Sequence, residues 1–256
     1  MTKPPRGYKT RRQKAAEGDS ALSGRMKHTK VKTAKGRKLS SKLWLERQLN
    51  DPYVLEAQRR GLRSRAAFKL IELDEKFHFL KSGARVVDLG AAPGGWSQYA
   101  AGIVLKGKHG ARGKVVAIDI QEMEGLSNVT VFLKDFMDDD APALLKQALG
   151  GEADVVMSDM AAPATGHTAT DHLRIMGLCE TALLFATEVL AEGGTFLAKV
   201  LQGGTEGQLL DTMKKHFTTV KHAKPAASRA DSAEMYVVAT GFKGRPQKHG
   251  DEKAED

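Results

Sequence analysis

The chain has 256 residues, of which 41% are hydrophobic, and it carries a net charge of +9. This length accommodates one large α/β domain with extensions, and its apolar content supports a sizeable core. No apolar run approaches the roughly 18 residues that span a bilayer, and no apolar segment follows the basic N-terminus as in a secretory signal. The single cysteine, Cys179, excludes an internal disulfide and a Cys-pair zinc site. We therefore expect a cytoplasmic protein without membrane contact and without a metal.

Positive charge is concentrated at the start of the chain. Residues 1–42 contain fourteen Lys or Arg and two acids, a net +12, without apolar periodicity. This composition predicts a disordered basic arm, and such an arm indicates contact with a polyanion, in particular RNA, through counterion release. A solubilising tail without a specific partner is the alternative. Residues 244–256 have mixed charge and are predicted to be a second disordered tail, which leaves 43–243 as the folded domain.

Between these tails the chain alternates between helices and strands. Residues 43–60 predict two short helices with a break at Pro52, and 64–80 predict a further helix. Strands then follow at 84–90, 113–120, 129–136, 153–160 and 195–201, with helices at 94–105, 141–150, 170–194 and 205–217. The last two strands, 218–225 and 234–243, are joined by a short loop and are predicted to form an antiparallel pair at the sheet edge. The alternation predicts an α/β fold with a mostly parallel, doubly wound sheet.

A glycine-rich turn follows the first strand of the sheet. The segment "VVDLGAAPGGWSQYA" contains Gly90, Gly94 and Gly95 between the predicted strand and helix. It is neither the dinucleotide fingerprint G-x-G-x-x-G nor a Walker A loop, so it suits a nucleoside-like ligand without a phosphate group. Glycines at the carboxyl end of a strand allow a ligand to approach the backbone closely. An ordinary strand–helix turn is the alternative.

Acidic residues are predicted at the ends of the next two strands. Asp119 ends the second strand, where a carboxylate can accept hydrogen bonds from ribose hydroxyls. Asp135 ends the third strand and is suited to an adenine amino group. Either residue alone could be a solvated strand-end acid. Together with the glycine turn they favour a nucleoside site.

The motif "DLGAAPGGWSQYA" resembles the cofactor motif of the RrmJ/FtsJ-type (RlmE) ribosomal RNA 2′-O-methyltransferases. The resemblance continues through "SRAAFKL", "VVMSDMAAPATG", "FLAKVLQGG" and "SRADSAEMYVVATG", and covers about residues 60–243. It implies a Rossmann-like class I methyltransferase fold, S-adenosyl-L-methionine as cofactor, and a uridine ribose of 23S ribosomal RNA, within a ribosomal particle, as substrate. By position it implies cofactor contacts from Gly94, Trp96, Asp119, Asp135 and Asp159.

The same resemblance implies a catalytic tetrad. The family's K-D-K-E residues match Lys69, Asp159, Lys199 and Glu234. Lys199 stands within the apolar strand "TFLAKVL", where a lone buried ammonium is costly, so we expect Asp159 and Glu234 to hold it. We expect Lys69 to orient the ribose or its phosphate. Burial disfavours a charged lysine and neighbouring carboxylates favour it, so Lys199 could be either a general base or a hydroxyl-orienting cation.

Other functions stay open at this point. A methyltransferase acting on another RNA, such as transfer RNA, would share every motif. A non-catalytic RNA-binding ribosome-assembly factor would share the fold, although the complete tetrad argues against it. A nicotinamide-dependent oxidoreductase is disfavoured because G-x-G-x-x-G is missing.

Overall fold

The computed structural model describes residues 39–106, 113–163, 165–202 and 206–245. Most of the predicted basic arm, 1–38, lies outside the described residues, and so does the predicted tail from 246 onward. The chain divides into two compact units, Met1–Arg60 and Gly61–Asp256. The assignment of 43–243 to a single folded domain stays a prediction.

Two helices form the described part of the first unit, α1 (Leu39–Asn50) and α2 (Pro52–Arg60). Between them, Asp51 Oδ1 accepts a hydrogen bond from the backbone N–H of Tyr53 at 3.0 Å. Pro52 is the first residue of α2, where its missing N–H costs nothing because the first N–H groups of a helix have no partner within it. The predicted pair of short helices with a break at Pro52 is confirmed, although α1 begins at Leu39, four residues earlier than predicted and within the predicted arm.

The second unit is a seven-stranded sheet flanked by helices. Its elements in chain order are α3 (Ala67–Phe77), β1 (Arg85–Leu89), α4 (Gly95–Val104), β2 (Lys114–Asp119), β3 (Val129–Leu133), α5 (Ala141–Leu149), β4 (Ala153–Ser158), α6 (Thr168–Val189), β5 (Leu190–Leu201), α7 (Glu206–His216), β6 (Phe217–Ala223) and β7 (Glu234–Phe242). The strands lie in the order β3-β2-β1-β4-β5-β7-β6. All neighbours from β3 to β5 pair in parallel. The predicted α/β fold with a mostly parallel sheet is confirmed.

The last two strands pair antiparallel at one edge of the sheet, as predicted. The strand that runs against all others is β7, which pairs antiparallel with β5 on its other side. It lies one position in from the edge, and β6 is the edge strand. This placement sets the start of β7 beside the end of β5, which brings Glu234 opposite Leu201.

Apolar side chains cover both faces of the sheet. Because side chains alternate along a strand, Val87 and Leu89 of β1 face one layer and Val86 faces the other. The first layer includes apolar residues of α5, α6 and α7, and the second includes apolar residues of α3 and α4. Helices on both faces explain why the inner strands are apolar on both sides.

The long helix α6 ends earlier than predicted. The sequence predicts a helix over 170–194 ending at glycine, but α6 ends at Val189 and β5 begins at Leu190. The pairing of β4 with β5 shifts between Ala153 and Val155, and Gly193 has a φ of +81°. The glycines therefore belong to an irregular start of β5 rather than to the helix end. Strand β3 is also shorter than predicted, so Asp135 follows the strand by two residues.

Among the described residues, every helix is too short or too polar to span a lipid bilayer.

Candidate active site

The glycine-rich turn joins β1 to α4 at the carboxyl edge of the sheet. Gly90 has a φ of +76°, and a Cβ added there would lie 2.8 Å from the backbone of Met160. Gly94 has a φ of +100° at the N-cap of α4. Only glycine adopts such angles at little cost, and at Gly90 only glycine also fits the space. The turn can therefore run close beneath a ligand.

A cavity of about 510 Å³ lies beside this turn. It is formed by the carboxyl ends of β1, β2, β3 and β4 with one side of α6. Three carboxylates share its wall, those of Asp119, Asp135 and Asp159. Apolar side chains complete it, among them Ile118, Phe136, Met137, Met160 and Leu178. In open α/β sheets, ligands bind at this edge.

Two of these carboxylates also hold the loops that follow their strands. Asp119 Oδ2 accepts a hydrogen bond from the Ala92 N–H at 2.8 Å, and its Oδ1 accepts one from the Gln121 N–H at 2.7 Å. Asp119 thus ties the glycine turn to the end of β2. Asp135 Oδ1 accepts a hydrogen bond from the Met137 N–H at 2.9 Å. Each carboxylate retains lone pairs for a ligand, because an ionised carboxyl group has about four acceptor positions.

Two predicted cofactor contacts lie elsewhere. Neither Gly94 nor Trp96 is among the residues that line this cavity. The Trp96 ring is buried, and its Nε1 donates to the Ala66 carbonyl at 2.9 Å. The centroid of the Trp96 ring lies 5.7 Å from the centroid of the Tyr236 ring. The geometry gives Trp96 a packing role between α3 and β7, and cofactor contact by Gly94 and Trp96 stays a prediction.

Lys199 and Asp159 form an ion pair next to the cavity. Lys199 Nζ donates to Asp159 Oδ1 at 3.0 Å and to the Asp159 carbonyl at 2.7 Å. Their side chains are 10% and 16% exposed. Because Asp159 also lines the cavity, one residue connects the predicted cofactor site with the predicted reacting lysine.

Lys69 and Glu234 form a second ion pair. Lys69 Nζ lies 2.7 Å from Glu234 Oε1 and 2.9 Å from Oε2, and 4.0 Å from Asp159 Oδ2. Ser228 Oγ donates to Glu234 Oε1 at 2.9 Å. All four predicted tetrad residues are therefore brought together, with Lys69 between the two carboxylates.

The predicted contact of Glu234 with Lys199 is wrong. The register of β5 with β7 sets Tyr236 opposite Lys199, and Glu234 two pairs further out, opposite Leu201. Lys69 reaches Glu234 from α3 instead. The structure thus holds two lysine–carboxylate pairs rather than one lysine between two acids.

Tyr236 is the residue of this cluster that the sequence analysis missed. It is fully buried, and its hydroxyl donates to Asp159 Oδ1 at 2.8 Å. Burial raises the pKa of Tyr236 well above its ordinary value, and the negative charge of Asp159 adds to this, so the hydroxyl stays protonated as a donor. The signal was available, because Tyr236 follows Glu234 by two positions and strand residues two apart share a face.

The charges around Asp159 keep it ionised. Burial by itself would raise the pKa of Asp159, but the positive charges of Lys199 and Lys69 and the hydrogen bonds from Lys199 and Tyr236 hold this pKa below its ordinary value.

The pKa of the nearby Asp88 carboxyl group is shifted in the opposite direction. Asp88 of β1 is fully buried, accepts a hydrogen bond from Ser97 Oγ at 2.5 Å, and has no described partner for Oδ1. Burial raises the pKa of Asp88 to about 7, with a further contribution from the charges of Asp159 and Asp119.

Two arginines before α3 are held by backbone carbonyls. The Arg63 guanidinium donates to the carbonyls of Glu124 at 2.5 Å and Gly125 at 2.6 Å. Arg65 Nη2 donates to the Ala227 carbonyl at 2.7 Å. Both residues therefore tie the segment before α3 to loops at the carboxyl edge, a role that the sequence did not indicate.

A seven-stranded sheet with a reversed β7 and a nucleoside-sized cavity at the carboxyl edge defines a class I methyltransferase fold. The model of the family described as FtsJ-like methyltransferase matches residues 62–242. The chain belongs to this family, as the sequence resemblance implied.

Curated relatives agree with this assignment. The protein named ribosomal RNA large subunit methyltransferase E of Paramagnetospirillum magneticum is 69% identical over 217 residues, covering 84% of this chain and 88% of that protein. The protein of the same name in Rhodospirillum rubrum is 59% identical over 239 residues, covering 93% and 90%. A crystal structure from Plasmodium falciparum, named as a ribosomal RNA methyltransferase, is 31% identical with a TM-score of 0.63, covering 72% of this chain and 100% of that one.

Proposed function

We propose that this protein transfers the methyl group of S-adenosyl-L-methionine to the ribose 2′-hydroxyl of a uridine in 23S ribosomal RNA. The observation that carries the proposal is the position of Asp159, which lines the cavity and also binds Lys199. A ligand in that cavity and an oxygen held by Lys199 would therefore be neighbours. The names of the relatives support the large-subunit RNA as substrate.

The cavity fits the cofactor by size and chemistry. Its volume of about 510 Å³ lies within the usual range for small-molecule sites, roughly 300–1,000 Å³. Carboxylate acceptors match ribose hydroxyls, an adenine amino group and the cofactor's positive charge, and the turn offers no phosphate cradle. We assign Asp119, Asp135 and Asp159 to cofactor binding on these grounds, and Gly94 and Trp96 on the family motif alone. When bound, the cofactor supplies a methyl group made electrophilic by its sulfonium.

In this proposal Lys199 binds and orients the substrate hydroxyl. As an ammonium it has three N–H donors, and Asp159 accepts from it at two atoms, the carbonyl oxygen and Oδ1. One N–H thus remains for the 2′-oxygen, which favours an orienting role over a proton-accepting one. Tyr236 keeps Asp159 in place by donating to the same Oδ1. Residues of this kind accelerate a reaction mainly by holding the reacting oxygen in the correct orientation.

The pH dependence of single-turnover methyl transfer distinguishes the two roles of Lys199. For an orienting ammonium we expect a rate that does not rise across the neutral and alkaline range. A rate that rises with pH to a plateau, and loses that rise in Lys199→Met, would assign the general-base role instead.

Lys69 is assigned to the ribose or its neighbouring phosphate. Its ammonium is shared between Glu234 and Asp159 at unequal distances, 2.7 Å and 4.0 Å. Ser228 donates to Glu234 and so fixes the carboxylate that holds Lys69.

We also propose that the substrate is the RNA within a ribosomal particle, that the arm over 1–42 contacts this RNA, and that the protein acts in the cytoplasm.

The most informative experiment maps 2′-O-methyl groups in RNA from cells with and without this protein. We expect one uridine of 23S ribosomal RNA to lose its methyl group when the protein is absent, and to regain it with the wild-type chain but not with Lys199→Ala. An unchanged 23S map with a lost methyl group in transfer RNA would move the substrate to that RNA. An unchanged map of all RNA would contradict the methyltransferase proposal.

A further inference from the structure

A second concave surface lies at the amino edge of the sheet, opposite the candidate active site. Its volume is about 650 Å³, and it is formed by the starts of β1 and β2, the residues before and within β3, and the end of α5. Its polar side chains are those of Arg85, Lys114, Asn128 and Thr130. Among the described residues, no Asp or Glu lines it.

Three of these side chains form a row across adjacent strands, which we call the amino-edge row. Arg85 pairs with Lys114 in the register of β1 and β2. Val115 pairs with Val129 in β2 and β3, so Asn128 stands one step before that pair, beside Lys114. With strands about 4.8 Å apart, the row is roughly 10 Å long. It presents a guanidinium, an ammonium and an amide on one face.

The row places two like charges side by side without a counter-charge. Neighbouring like charges on adjacent strands are destabilising. Within the described ranges, neither the Arg85 guanidinium nor the Lys114 ammonium has a hydrogen-bond or ion-pair partner. Asp154 is close, but its carboxylate accepts from the Arg85 backbone N–H at 2.7 Å, and Glu152 pairs with Arg245. The end of α5 favours cations nearby through its dipole and provides no counter-ion.

The turn after α5 lies against these cations. Gly150 has a φ of +67° and caps α5, and a Cβ added there would lie 3.9 Å from Lys114 Nζ. A Cβ added to the next residue, Gly151, would collide with the Arg85 guanidinium. Glycine at these two positions therefore lets both cations lie directly against the turn that borders the concavity.

We propose that the amino-edge row binds phosphate groups of the RNA substrate as a second contact, separate from methyl transfer. This inference rests on the proposed function, since that function supplies the polyanion. Guanidinium and ammonium groups are the usual phosphate ligands, and such contacts fix the position of a nucleic acid without reading its sequence. Five residues of β1 separate the row from the glycine turn by about 17 Å, at about 3.3 Å per residue. The row acts on binding and leaves the chemical step alone.

The test uses the full chain with Arg85→Gln and Lys114→Gln combined. Binding of a 23S ribosomal RNA transcript is measured across a salt series. Loss of two phosphate contacts should lower the slope of log K against log salt by about 1.4–1.8, and weaken binding about tenfold near physiological salt. The rate of methyl transfer at saturating RNA should not change.

The matched control removes the same charge elsewhere, with Lys81→Gln and Lys221→Gln, two exposed lysines. We expect this pair to change the slope by less than half as much. A wild-type slope in the row variant, or an equal loss in both variants, would overturn the proposal. Lys114→Gln alone should give about half of the slope change, and serves if the double variant unfolds. Because this test measures binding, it is independent of methyl transfer. A wild-type chain that binds RNA through the row but transfers no methyl group would refute the proposed function, and the proposal that the row binds RNA would stand.

Discussion

The two edges of the sheet hold their cations in different ways. At the carboxyl edge, Lys69 and Lys199 have side chains only 10% exposed, and each lies within 3.0 Å of a carboxylate. At the amino edge, Arg85 and Lys114 are half-buried and have no carboxylate partner among the described side chains. Burial of a charge demands a counter-charge, whereas a hydrated charge needs none. The cations at the carboxyl edge are thus paired and fixed, whereas those at the amino edge have no counter-charge among the described side chains.

The largest effect is expected from removing Lys199, the paired lysine that we propose to face the substrate. Lys199→Ala should lower the rate of methyl transfer by about 10²-fold or more, because a misplacement of the reacting oxygen by about 1 Å can cost that much. Cofactor affinity should stay within a few-fold of wild type, because Asp159 remains ionised beside Lys69. Rates come from single-turnover assays and affinity from calorimetry. Lys221→Ala on the edge strand β6 is the control, and near-normal turnover in Lys199→Ala would remove Lys199 from the mechanism.

Asp88, at the carboxyl end of β1, has no cation partner among the described residues, and this affects stability. Its pKa rises to about 7 in the folded chain, above the unfolded value of about 3.9. The folded state therefore binds more protons between these values, and this group makes stability fall as pH rises from about 4 to 7. Asp88→Asn should consequently stabilise the protein more at pH 8 than at pH 5, by a few kcal/mol at most.

Denaturant unfolding at pH 5 and pH 8 measures this difference. Asp211→Asn, at an exposed position of α7, is the matched control and should show no such pH dependence. An Asp88→Asn variant with the same stability difference from wild type at both pH values would contradict the raised pKa.

The cations of the folded domain can also be compared with those of the basic arm. Residues 1–38 contain thirteen Lys or Arg and two acids. A chain that begins at Leu39 keeps α1 whole and should bind 23S ribosomal RNA at least about tenfold more weakly at moderate salt, with a shallower salt dependence. A filter-binding series at several salt concentrations measures both. Unchanged binding at every concentration would leave the arm without a role in RNA contact.

The smallest expected effect lies behind the second ion pair. Ser228→Ala removes a donor to the Glu234 carboxylate, which Lys69 still holds, and should lower kcat several-fold with little change in KM. Ser228→Thr keeps the hydroxyl and should restore most of the rate. Thr212→Ala, which removes a hydroxyl bonded to the Gln208 carbonyl on α7, is the control.

A double-mutant cycle decides whether Ser228 acts through Glu234. In a Glu234→Gln background, Ser228→Ala should add no further loss, because the carboxylate that it positions is already gone. Fully additive losses would show that Ser228 supports the loop and not the ion pair.

The sequence predicted the parallel part of the molecule well, because strand–helix alternation and apolar runs depend on local pattern. It also gave the right residues for the cluster, since Lys199 breaks an apolar strand and Asp159 ends another. It failed where a contact depends on register between distant strands. The pairing of Glu234 with Lys69, and the place of Tyr236 opposite Lys199, follow from β7 lying between β5 and β6. The early end of α6 was not predicted, because the glycines that suggested a helix cap lie in the irregular start of β5 instead.

The central claim is that the paired lysines at the carboxyl edge serve methyl transfer to a ribose of large-subunit RNA. The most direct measurement incubates purified protein and S-adenosyl-L-methionine with large ribosomal subunits from cells that lack the protein, and maps new 2′-O-methyl groups. We predict one methylated uridine in 23S ribosomal RNA with the wild-type chain, and none with Lys199→Ala over the same time. Methylation of a base instead of a ribose, or equal ribose methylation by both proteins, would contradict this claim.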